Sequence, residues 1–121
     1  MMQQDSTSAT MNRYHELLAL MEGDHELLQE LIEGFLEDAP QRIAAVRSAL
    51  AARDAELLYK AVHTLKGSAG NFGAPEVVGC ALQLEAHARA GDIDSALIEF
   101  GFLEAQMDQL VGELAAARQA S

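Results

Sequence analysis

Three times in this chain a helix stop runs straight into an aspartate: Gly23-Asp24, Arg53-Asp54 and Gly91-Asp92. Aspartate is a preferred N-cap because its carboxylate accepts the backbone N–H groups that open a helix. A cap set directly after a stop leaves almost no loop, and helices joined so tightly must lie antiparallel and side by side. A fourth junction is written differently, with Gly73 as the stop, Pro75 in the first turn and Glu76 beside it on the positive end of the helix dipole. The pattern predicts an all-α fold: an antiparallel up-down-up-down four-helix bundle with a short additional N-terminal helix.

Between these punctuation marks the apolar residues recur at steps of three or four, the period of a helix with one buried face. Tyr14, Leu17, Leu18 and Met21 mark the short first piece. Leu28, Leu31, Phe35, Ala39, Ile43, Val46 and Leu50 keep one phase through Pro40, which predicts a single long helix over about 24–53, kinked near the proline, in place of two. The next inward stripe is Leu58, Ala61, Leu65, Ala69 and Phe72, closed by Gly73. Val77, Ala81, Leu84 and Ala88 follow, and then Ile93, Leu97, Phe100, Leu103, Met107, Leu110, Leu114 and Ala117. Residues 1–10 are polar and patternless and read as a disordered tail, leaving 11–121 as one domain.

Charge and motif content narrow the function. Eight Lys and Arg face 19 Asp and Glu, a net charge of -11, which repels a phosphate backbone and argues against nucleic acid. The chain has no apolar run of membrane-spanning length and no signal-peptide pattern. The single cysteine, Cys80, suits a reducing cytoplasm and a place in the core. Neither a GxxxxGK[ST] loop nor a Gly-rich nucleotide box is present, so the chain reads as a protein without its own ATP site. His15, His25 and His87 share no ligand spacing with His63, and no metal site or other cofactor is expected.

The stretch that these helices present is Ala-Val-His-Thr-Leu-Lys-Gly-Ser-Ala-Gly-Asn-Phe-Gly-Ala, residues 61–74. At 100° per residue His63 lies far from the stripe through Ala61 and Leu65, and so it faces solvent. Lys66, Gly67 and Gly70 stand over the same face one and two turns on, and Tyr59 one turn before. Each helical glycine costs about 1 kcal/mol relative to alanine, so two on one face ask for a cause. Either they clear a docking surface around His63, or they let a neighbouring helix come close. Imidazole keeps a neutral, nucleophilic fraction near neutral pH, and an ammonium one turn away can offset the charge of a phosphoryl group. The combination points to phosphoryl acceptance on a bare helix face.

His63-Thr64-Leu65-Lys66-Gly67-Ser68 with Gly73 beyond resembles the signature of histidine-containing phosphotransfer (HPt) domains of two-component phosphorelays. Phe35-Leu36-Glu37-Asp38-Ala39-Pro40 resembles the first long helix of that family, and Leu84-Glu85 followed by Gly91-Asp92 its third and fourth. The resemblance implies a four-helix bundle in which His63 carries phosphate between receiver-domain aspartates, Lys66 stabilises the phosphohistidine and Gly67 leaves room for the receiver. It also implies a polar residue on the next helix near the histidine. By spacing this is Glu85, which could bond the other imidazole nitrogen and fix the tautomer, or pair with Arg89 four residues on.

The expected function is therefore a histidine phosphotransfer protein, a relay intermediate whose partners are response-regulator receiver domains and a hybrid sensor kinase. Mg2+ is expected in the partner receiver and not in this chain. The alternatives are a non-transferring helical adaptor that docks receivers, or the HPt module of a hybrid or chemotaxis-type sensor kinase.

Overall fold

A computed structural model of the chain describes residues 15–120. The tail expected over 1–10, and Tyr14, lie outside the described residues. Among the described residues five helices follow one another: α1 over residues 15–20, α2 His25–Ala51, α3 Ala55–Gly70, α4 Pro75–Ala90 and α5 Ile93–Ala120. The last four close a ring in which α2 packs on α3, α3 on α4, α4 on α5 and α5 back on α2. This is the expected bundle. α2 and α5, with 27 and 28 residues, run about 40 Å each, while α3 and α4, with 16 each, reach only about 24 Å. No helix among the described residues is long and apolar enough to cross a membrane.

All three stop-and-cap junctions form. Asp24 and Asp54 each accept the N–H three residues on, from Leu27 and Leu57, at 3.0 Å, and Asp92 accepts that of Ser95 at 3.1 Å. The residue ahead of each aspartate turns into the left-handed region: Gly23 at φ 80°, Arg53 at 53° and Gly91 at 70°. Hydrogen bonds from Asp54 N–H to Ala49 O and from Asp92 N–H to His87 O then satisfy carbonyls at the ends of α2 and α4. Glycine takes this conformation freely, whereas the side chain of Arg53 makes it strained by about 1 kcal/mol.

α2 continues through Pro40 as one helix, with the proline on its exposed side. α3 differs from expectation at its end. It stops at Gly70 rather than at Gly73, and Asn71 to Gly73 form a separate turn held by Phe72 N–H to Ala69 O and Gly73 N–H to Gly70 O, both 3.0 Å. Phe72 is nonetheless buried and meets Phe35 edge to face, centroids 5.2 Å apart. Ala74 offers α4 no side-chain cap, and Pro75 starts that helix instead.

The core corrects the stripes by single residues. Ile32 is buried where Leu31 was expected, Val62 where Ala61 was, and Ala96 where Leu97 was; Leu31 and Leu97 are exposed, and Ala61 and Ile43 half-buried. At each place two or three apolar residues lie side by side in the sequence. A 100° step then decides which one meets the bundle axis, and only the neighbouring helices fix that angle. The remaining stripe residues of α4 and α5 are buried as expected, from Val77 to Ala88 and from Ile93 to Ala117.

Candidate functional site

Burial of Leu58, Val62, Leu65 and Ala69 fixes the rotation of α3, each larger side chain contributing about 1.5–3 kcal/mol. That rotation turns His63, Gly67 and Gly70 outward, and the His63 side chain is 61 % exposed. A Cβ built at Gly67 or Gly70 meets nothing within 4 Å. Neither glycine makes room for a neighbouring helix, and together they leave a bare surface beside the histidine.

Across the α3–α4 seam lies Glu85, the one buried charged residue among those described. It follows Ala81 by four residues and so shares the inward face of α4. A buried carboxylate must be paired or hydrogen-bonded to stay ionised. Both its oxygens are engaged by α3: Lys66 Nζ donates to Oε1 at 2.9 Å, and His63 Nδ1 lies 2.9 Å from Oε2. Burial by itself would raise the carboxyl pKa. The hydrogen bonds and positive charge of Lys66, with those of His63, outweigh burial and hold it below its ordinary value.

Ionised Glu85 can only accept, so Nδ1 of His63 is the ring nitrogen that carries the proton. In the neutral ring the lone pair then sits on Nε2, which has no hydrogen-bond partner among the described residues. One carboxylate thus orients the imidazole and anchors the lysine. Lys66, expected to stabilise the phosphohistidine, is 24 % exposed and lies one turn from His63 with its ammonium on Glu85.

Tyr59 stacks on His63, with centroids 5.8 Å apart and planes 12° from parallel. Arg89 of α4 does not pair with Glu85. Its Nη2 donates to Tyr59 Oη at 2.8 Å and its guanidinium lies 4.9 Å from the Tyr59 ring centroid. Of the residues singled out from sequence, His63, Lys66, Glu85 and Tyr59 form one connected group, and Gly67 and Gly70 extend it as empty helix surface. The position of Arg89 escaped sequence reasoning. Its alignment with Tyr59 follows from how α3 lies against α4, and a single-helix projection does not contain that. The burial of Glu85 did leave a signal, a carboxylate in phase with Ala81 and Ala88.

The family model described as Hpt domain matches residues 30–120. Among solved structures, the crystal structure of histidine-containing phosphotransfer protein B (HptB) from Pseudomonas aeruginosa PAO1 is similar, at TM-score 0.79 and 26 % identity, over 91 % of this chain and 93 % of that one. No curated protein sequence matches the chain.

Proposed function

This chain belongs to the Hpt domain family, a family of histidine phosphotransfer modules, and on that premise we propose that His63 is the residue that carries the phosphoryl group between receiver-domain aspartates. The observation that carries this reading is the Glu85 carboxylate, buried and held by Lys66, placed 2.9 Å from His63 Nδ1. It leaves Nε2 as the nucleophile.

In the accepting step the Nε2 lone pair attacks the phosphorus of an aspartyl phosphate on a receiver. The bond from phosphorus to the aspartate oxygen breaks, and its electron pair stays on the released carboxylate. The ring, now bonded to phosphorus at Nε2 and still protonated at Nδ1, gains positive charge that Glu85 offsets, as a carboxylate supports an imidazolium elsewhere. In the donating step a second receiver's carboxylate attacks phosphorus, and the Nε2–P electron pair returns to nitrogen. Lys66 has three N–H donors and Glu85 takes one, so the others can meet phosphoryl oxygens. Gly67 and Gly70 let the receiver backbone approach. The metal ion and acidic pocket that hold the transferring group belong to the receiver.

In this reading the chain is a relay intermediate without its own ATP site, acting in the cytoplasm with receiver domains and a hybrid sensor kinase. Neither nucleic acid nor a membrane takes part. The test is transfer of label from a radiolabelled phosphoreceiver to the chain, giving acid-labile, alkali-stable phosphate. His63→Gln should fold and take up none. Label on that variant at the wild-type level would overturn the assignment, and a wild-type chain that binds receivers without accepting label would instead be a docking adaptor.

A further inference from the structure

His63 has two neighbours on its own face of α3 at four residues' distance, Tyr59 and Gly67, and they are opposites. One is an aromatic ring nearly parallel to the imidazole, in an offset stack with centroids 5.8 Å apart, and the other is open space. Helical side chains lean toward the N-terminus, so His63 tilts onto Tyr59 and away from Gly67. Tyr59 is half-buried and packs against the bundle core. Its hydroxyl accepts from Arg89 at 2.8 Å and its ring lies beside the same guanidinium, which ties it to α4. The imidazole is thereby fixed in two independent ways, along one edge by Glu85 and over one face by Tyr59.

We propose that Tyr59, secured by Arg89, is a positioning residue that sets the ring plane of His63 and shields one side of the phosphohistidine, so that exchange takes place over Gly67. The inference rests on the reading of His63 as the phosphorylated residue. Its first consequence concerns transfer: a ring free to turn about its Cβ–Cγ bond presents Nε2 in line with the donor for a smaller share of the time. Its second concerns loss. In hydrolysis a water oxygen bonds to phosphorus, the Nε2–P bond breaks with its electron pair returning to Nε2, and the water's protons are released or taken up by the products. A ring packed alongside removes part of the space from which that water attacks.

The experiment compares wild-type chain, Tyr59→Phe, Tyr59→Ala and Arg89→Ala, each loaded from a radiolabelled phosphoreceiver. Initial transfer rate is measured first, and phosphohistidine half-life after the receiver is removed. Circular dichroism confirms that the variants fold. Tyr59→Ala is expected to lower the rate and shorten the half-life by about three- to ten-fold, the scale of a lost aromatic stack. Tyr59→Phe keeps the stack and should stay within about two-fold of wild type, with Arg89→Ala between them. Nitrogen-15 spectra of the imidazole should report a more mobile His63 ring in Tyr59→Ala with the Nδ1–H tautomer kept. If Tyr59→Ala matches wild type in both rate and half-life while wild type accepts label, the inference fails and the assignment of His63 stands. If Tyr59→Phe falls as far as Tyr59→Ala, the stack is not the cause and the inference fails as well. A wild-type chain that takes up no label overturns both.

Discussion

The bundle carries two sets of cross-helix ion pairs that look alike on paper and differ in where they stand. Between α3 and α4, Glu85 is 7 % exposed and bridges Lys66 and His63. On the α5 side of the ring, Arg47 pairs with Glu104 while lying over the Phe100 ring, and Arg53 pairs with Asp94 at 3.0 Å, with Glu104 half-exposed and the other three side chains more than half exposed. Exposed pairs contribute about 0–1 kcal/mol and weaken with salt. A buried carboxylate is different in kind, since desolvation has been incurred whether or not its partners remain. The outer pairs are dispensable to a bundle whose stability comes from its apolar core. The inner one holds three side chains in a single geometry.

Removing one partner from the inner set should break the comparison most visibly. Lys66→Ala leaves Glu85 with His63 alone and is expected to lower stability by about 2–3 kcal/mol at pH 7 in urea unfolding. A loss no larger than that of an exposed pair would place Glu85 in effective contact with water. Acid provides a second route. The folded pKa of Glu85 is depressed below its unfolded value of 4.5, so its contribution is complete above that value and is lost as pH falls through the folded pKa. Denaturation midpoints measured from pH 6 to pH 3 should therefore decline less steeply for Glu85→Gln than for wild type, the two curves converging at the acid end.

Two smaller effects sharpen the other half. Arg53→Gly removes an exposed ion pair and relieves a left-handed arginine, and relief should win, with a net gain of about 0.5 kcal/mol in thermal or urea unfolding. A net loss would mean that the pair to Asp94 is worth more than its exposure implies. Glu104→Gln is expected to cost about 0.5 kcal/mol or less, and in about 0.5 M salt the difference should vanish.

Much of the fold was legible because its signals are local. Asp24, Asp54 and Asp92 cap the helices to which they are adjacent, and the stripe from Val77 to Ala88 needs no partner to be recognised. Where adjacent apolar residues compete for the axis, as at Leu31-Ile32, Ala61-Val62 and Ala96-Leu97, the choice is made by another helix and the sequence is silent. The same division runs through the site. His63, Lys66, Gly67 and Tyr59 share one helix face and could be grouped by spacing alone. Glu85 was legible as a candidate but not as the centre of the network, because an acidic residue in an acidic helical protein reads as solvated surface. Spacing left Glu85 with two candidate partners, the His63 imidazole and Arg89, and α3 takes Glu85 for itself while offering Tyr59 to Arg89.

The tight aspartate-capped junctions also bear on how the chain reaches its native state. Of the four seams in the ring, three join helices that are consecutive in the chain, and only the α2–α5 seam brings distant segments together. Such a topology has low contact order, for which folding in microseconds to milliseconds is typical. The α3–α4 hairpin that builds the His63 site closes over a short turn at Gly73, so its loop-closure entropy is small. The face that carries His63 can thus assemble from neighbouring segments, and joining α5 to α2 is the long-range step that completes the bundle.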